Sequence, residues 1–122
     1  MTAPTLNKIL EMPPYVVMEI PGSEVRVVQR LSKGELNRDH AKTLKELLGT
    51  LKGKDYIIDY SNATYVSTKI LQTSLTAAKE NKRKPKVVLP SDSQVRNLME
   101  LSGVISGVEP YETLEDALKT DS

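Results

Sequence analysis

At 122 residues the chain can build one domain with a genuine core, but not two independent ones. Its 17 basic and 16 acidic residues nearly cancel, so there is no global field for gripping nucleic acid. With no cysteine there is no disulfide framework, no thiol nucleophile and no thiolate metal site; with no Trp or Phe, the core must be filled by Leu, Ile, Val and Tyr.

Residues 1–14 read as an N-terminal arm. Leu6, Ile9 and Leu10 have helical spacing and Pro13-Pro14 end any helix, so a short element packed on the domain edge is expected, with a partner-contact surface as the sharper alternative. Tyr15 to Ile20 reads as a strand and Pro21-Gly22-Ser23 as a turn. Val25 to Val28 is a second strand, making a hairpin. From Asn37 the period becomes helical: Ala41, Leu44, Leu47, Leu48 and Leu51 share a face, and Gly53 supplies the stop. Tyr56, Ile57 and Ile58, bounded by Asp55 and Asp59, suit an interior strand. Asp59, Ser61 and Asn62 can make the turn after it, because short polar side chains satisfy nearby backbone groups.

Ser67 and Thr68 fall where the next helix should begin, and the spacing predicts that helix from about Thr68 to Asn81. Ile70, Leu71, Ser74, Leu75 and Ala78 form its sheet-facing stripe. Pro85 breaks the pattern and Lys86 to Leu89 forms another strand. Ser91-Asp-Ser-Gln94 resembles a capping box for a third helix with Val95, Leu98 and Met99 on its inner side, closed by Gly103. Val108 to Tyr111 can make an edge strand, and Thr113 to Asp116 cap a last helix running through Leu118. The domain is expected over residues 15–119, with a tail at 120–122. This alternation predicts an α/β fold with a mixed sheet of four or five strands and about four helices mainly on one face, because the chain is too short to cover both generously. The strand at Tyr56 to Asp59 should be interior.

Catalysis finds little support. His40, the sole histidine, is expected on the exposed side of the first helix as a solvated residue. Asp55 and Asp59 bracket a strand with no second group placed to work with them. No metal-ligand spacing, Walker loop or dinucleotide fingerprint occurs, so neither a metal nor a cofactor is expected. Lys79 to Lys86 is the one local charge cluster. It could contact a nucleotide, a nucleic acid or another anion, but cations at a helix C-terminus also complement its dipole, and no aromatic residues interleave for base stacking. No specific nucleic-acid partner is expected. The chain lacks a basic leader followed by an apolar run, and no apolar stretch approaches membrane-spanning length. A cytoplasmic chain, not membrane-embedded, is therefore expected.

The segment Asp59-Tyr-Ser-Asn-Ala-Thr-Tyr-Val-Ser-Thr-Lys-Ile-Leu71 resembles the core signature of the STAS family (sulfate transporter and anti-sigma factor antagonist), in which an Asp-x-Ser stretch leads to an Asp-Ser-Ser-Gly-Leu-like helix start. The likeness runs from about Tyr15 to Lys119. It includes Ser32-Lys-Gly-Glu-Leu36 ahead of the first helix, Val95 to Gly103 as the third helix, and Tyr111 to Leu118 at the last. Ser67 stands where the family commonly has Asp, Lys69 where it has a second Ser, and Ile70 where it has Gly. Thr68 occupies the phosphoacceptor position.

The resemblance implies a non-enzymatic regulatory module of the anti-sigma factor antagonist type. Its partner would be an anti-sigma factor that is also a serine kinase, bound through Ser61, Asn62, Ser67, Thr68, Lys69 and Gln72 and released by phosphorylation at Thr68. From residue chemistry alone, an ordinary helix cap is the favoured reading of Ser67 and Thr68. Two other roles stand beside partner switching: an unphosphorylated accessory subunit of a transporter ATPase or other assembly, and a small-ligand or nucleotide sensor. A homodimer is left open.

Overall fold

The computed structural model describes residues 5–82, 84–90 and 92–119. Eight strands are present among them: β1 (Asn7–Met12), β2 (Tyr15–Glu19), β3 (Arg26–Arg30), β4 (Gly34–Leu36), β5 (Tyr56–Asp59), β6 (Ala63–Val66), β7 (Lys86–Val88) and β8 (Glu109–Tyr111). Four α-helices alternate with them: α1 (Ala41–Thr50), α2 (Thr68–Asn81), α3 (Gln94–Ser102) and α4 (Leu114–Lys119). Six strands form one mixed sheet in the order β1-β2-β3-β5-β7-β8, antiparallel across β1-β2-β3 and parallel from β3 onward. All four residues of β5 are buried, and the strand lies between β3 and β7, in the interior position its unbroken apolar run requires.

The two faces of the sheet are covered unequally. Tyr15, Val17, Val28, Tyr56, Ile58 and Val87 project into a large core shared with the apolar stripes of α1, α2 and α3, where Leu44, Leu47, Ile70, Leu71 and Met99 are fully enclosed. On the other face α4 covers a small cluster, in which Ala117 packs with Ile57 and Val88. Local chemistry delimits the helices. A single 3-10 turn (Arg38–His40) precedes α1 and is closed reciprocally: Asn37 Oδ1 accepts from the Asp39 N–H and His40 Nδ1 accepts from the Asn37 N–H. Ser93 caps α3, and Gly103, at φ 78°, ends it in the left-handed region that glycine adopts without strain. The Thr113 hydroxyl caps the start of α4 by accepting from the Asp116 N–H.

Three expectations need correction. The sheet has six strands rather than four or five, because part of the arm joins it: residues 7–12 are a strand, not a helix, and pair with β2 from Asn7↔Glu19 to Met12↔Tyr15 around a turn at Pro13-Pro14. Backbone pairing along that edge offers more than an isolated six-residue helix could supply. The segment leading into α2 is not merely a turn. β4 and β6 pair in parallel as a separate two-stranded sheet (Gly34↔Ala63, Glu35↔Tyr65, Leu36↔Val66). His40, finally, is half-buried and its ring is spent on the capping turn rather than left solvated. Ser91 of the expected third-helix start and the tail 120–122 lie outside the described residues.

Candidate functional site

The turn after β5 sits at the carboxyl end of the parallel strands, where open α/β sheets present their loops. Asp59 organises it. Its Oδ1 accepts from the Ser61 N–H (2.9 Å) and the Ser61 hydroxyl (2.6 Å), and its Oδ2 accepts from Gln29 Nε2 on β3 (2.9 Å). The side chain is 7% exposed, and these three donors compensate its burial. Asn62 Nδ2 donates to the Arg30 carbonyl (3.1 Å), and the Gly34 N–H donates to the Asn62 carbonyl (3.0 Å). The Arg30 guanidinium folds over Gly34 and donates to the carbonyls of Ser32 and Glu35. A Cβ at residue 34 would lie 2.7 Å from it, so glycine leaves the room this contact uses.

From β6 the chain turns directly into α2. The Ser67 N–H is held by the Leu36 carbonyl (2.9 Å), and Ser67 Oγ accepts from the Ile70 N–H (3.4 Å), which makes Ser67 the N-cap. Thr68, first residue of the helix, is exposed, and its hydroxyl makes no hydrogen bond among the described residues. Lys69 and Gln72 are exposed beside it, one and four positions on. Ile70, at the position where the signature has glycine, points inward and is fully buried, so its bulk fills core rather than crowding the rim.

Beneath the rim, Tyr60 fastens the turn to the helix. Its hydroxyl lies 2.9 Å from Ser74 Oγ, which donates to the Ile70 carbonyl (3.2 Å). Burial pushes the Tyr60 phenol up to about 12, against a smaller opposing effect of the Ser74 hydrogen bond, so it stays protonated at neutral pH.

The six candidate residues therefore divide. Ser61, Asn62 and Ser67 spend their side chains on the turn and the cap, while Thr68, Lys69 and Gln72 present theirs to solvent on one helix end. Sequence reasoning missed the surface that continues from Lys69 and Gln72, a groove between α1 and α2 that also takes in Arg38, Lys42, Lys45 and Lys52. The spacing of Lys42, Lys45 and Lys52 at i, i+3 and i+10 was the available signal. Among the described residues the Lys79 to Lys86 cluster is divided, with Lys84 and Lys86 lining a separate cavity. Lys79 lines the groove, Lys82 ends α2 in the left-handed conformation, Lys86 donates to the Ala117 carbonyl, and Arg83 lies outside the described residues. Among the described residues no group of three or more His, Asp or Glu could hold a metal ion, and no helix is long and apolar enough to cross a membrane.

No family model matches the chain, and no curated protein does. Solved structures do match. An anti-sigma factor antagonist from Mycobacterium paratuberculosis superposes with a TM-score of 0.69 at 21% identity, over 91% of this chain and 97% of its own. The fold is that of the anti-sigma factor antagonists. SpoIIAA in its unphosphorylated form matches with a TM-score of 0.63 at 13% identity, over 87% of this chain and 94% of its own. The Bacillus cell fate determinant SpoIIAA in its phosphorylated form matches at 0.60 and 17%, over 88% of this chain and 99% of its own. At these identities the shared feature is topology, and the α/β fold is of the kind the Asp59–Leu71 segment suggests.

Proposed function

We propose that this protein is a non-enzymatic regulator that binds an anti-sigma factor through the rim at the start of α2 and is released from it by phosphorylation of Thr68. The observation that carries the reading is the division of labour between Ser67 and Thr68. Ser67 is consumed as the cap, whereas Thr68 displays an unengaged hydroxyl at the helix start, on a fold shared with antagonists solved in both phosphorylated and unphosphorylated forms. A phosphate there brings about −1.5 to −2 charge units. The fold tolerates it, because the helix N-terminus favours anions and Lys69 stands next to it. A docked partner does not, because the charge must be desolvated within the interface.

The sequence departs from the family where Ser67 replaces an acidic residue. The cognate kinase in this reading recognises a rim in which Thr68 is followed in the chain by the cation of Lys69. Lys69→Glu tests the surface. It should weaken the partner by at least about tenfold while stability stays within about 0.5 kcal/mol, the usual range for a surface substitution. Titration calorimetry with a partner captured from the native host and then purified is the assay. Unaltered affinity would place the binding surface elsewhere.

A further inference from the structure

The groove between α1 and α2 has a volume of about 1060 Å³ and gathers six cations, Arg38, Lys42, Lys45, Lys52, Lys69 and Lys79, against the two carboxylates Asp39 and Glu80. For a chain with a formal net charge of +1 this is a pronounced local concentration. Among the described residues none of the six is within salt-bridge distance of a carboxylate, so the field is not neutralised from within. The floor between the cations is made by half-buried Ala77 and by the lysine stems, while Leu75, two residues before Ala77, lies on the other side of α2 against Gly107. Gly49 also lines it, inside α1, with nothing within 4 Å of where a Cβ would stand. A glycine there weakens the helix relative to alanine, and no packing contact inside the protein requires it. Its effect is to leave the groove wall low.

We propose that this groove docks an acidic amphipathic helix of a protein partner, with its apolar stripe on Ala77 and the lysine stems, its closest approach at Gly49 and its carboxylates facing the lysine rims. From Lys69 to Glu80, α2 extends roughly 16 Å, which matches about three turns of a docked helix. Nucleic acid is disfavoured, because the one aromatic residue lining the groove, Tyr56, is buried and leaves bases nothing to stack on. The inference rests on the reading of the chain as a protein-binding module and adds the chemistry of what it binds. Lys69 belongs both to the rim and to the groove, so a phosphate on Thr68 would sit at the groove mouth and repel the same acidic segment.

The test is an NMR titration of the full-length isotope-labelled chain with a synthetic amphipathic helix of roughly 15 residues, with leucines on one face and glutamates flanking them. Controls are the same peptide with every glutamate changed to lysine and a short single-stranded DNA. The acidic peptide should shift amides of residues 42–52 and 69–80 and weaken with added salt. Lys45→Glu combined with Lys52→Glu should cost at least about tenfold in affinity. Gly49→Leu, which raises the wall, should abolish binding with the helical circular dichroism retained. The proposal is overturned if the groove amides do not move, if the lysine peptide binds as well, if the DNA binds more tightly than the acidic peptide, or if the charge-reversed protein binds unchanged. Because Lys45 and Lys52 lie away from Thr68, the two readings can fail separately. An anti-sigma factor that binds the charge-reversed protein normally leaves the rim standing and removes the groove, whereas peptide binding with no anti-sigma factor affinity does the reverse.

Discussion

Replacing Ser74 with alanine tests how the rim is held in place. Ser74 is 1% exposed and links the Tyr60 hydroxyl at 2.9 Å to the Ile70 carbonyl at 3.2 Å, tying the first turn of α2 to the turn after β5. Ser74→Ala leaves the wholly enclosed Tyr60 hydroxyl without a partner, and a stranded buried donor costs about 1–3 kcal/mol. Alanine's better helix propensity returns about 0.5 kcal/mol, so a net loss of about 1.5 kcal/mol is expected. Tyr60→Phe should be milder, about 1 kcal/mol, because Ser74 keeps its bond to the Ile70 carbonyl. The double variant leaves no polar group unpaired at that contact. It should cost less than the two single changes together, by about 1 kcal/mol. Urea denaturation of the four proteins at pH 7 completes the cycle. Strict additivity, or a Ser74→Ala loss smaller than that of Tyr60→Phe, would refute the claim that this bond clamps the helix start.

Asp59→Ala removes the acceptor of three hydrogen bonds and should destabilise by about 3 kcal/mol in the same assay, with Gln29 and Ser61 left unpaired. Glycine-to-alanine changes should differ in sign. At Gly49, where a Cβ meets nothing, alanine should stabilise by about 1 kcal/mol. At Gly107, where it would lie 2.5 Å from Leu75 Cδ2, alanine should destabilise by about 1 kcal/mol, and paired thermal melts decide both. Stability should also fall at high pH. Burial raises the phenols of Tyr15, Tyr56 and Tyr60, the last to about 12, whereas an unfolded tyrosine ionises near 10. The stabilisation is complete below pH 10 and is lost as pH rises above it; for Tyr60 the loss runs toward pH 12 at up to about 1.4 kcal/mol per pH unit, so Tyr60→Phe should show a shallower slope.

Elements whose stability is local, or whose burial is complete, are legible in the amino-acid sequence. The apolar run at Tyr56 to Ile58, the stripe from Ala41 to Leu51 and the start of α2 at Ser67 carry their own signals, and each lies where those signals put it. β1 is not legible in this way, because Leu6, Ile9 and Leu10 satisfy a helical period while the decisive contacts come from β2, a partner beyond the turn. β4 and β6 have three and four residues, too few to display alternation, and they exist only by pairing with each other across α1. The same distinction runs through the site. The Asp59–Ser61 turn spans two residues and was readable, but the Asn62 contact with Arg30 spans 32 positions and was not. The groove needs two helices side by side, so its lysines looked like the ordinary solvated face of an amphipathic helix.

The central claim, that Thr68 is the switch on an anti-sigma factor binding face, is tested most directly by phosphopeptide mapping. The protein would be purified from its native host under resting and activating conditions and analysed by mass spectrometry. The account predicts a phosphate on Thr68 in the resting state and its loss on activation, with Ser67 unmodified because its hydroxyl is spent on the cap. Thr68 bare under both conditions, or a phosphate that resides on Ser67 instead, would contradict it.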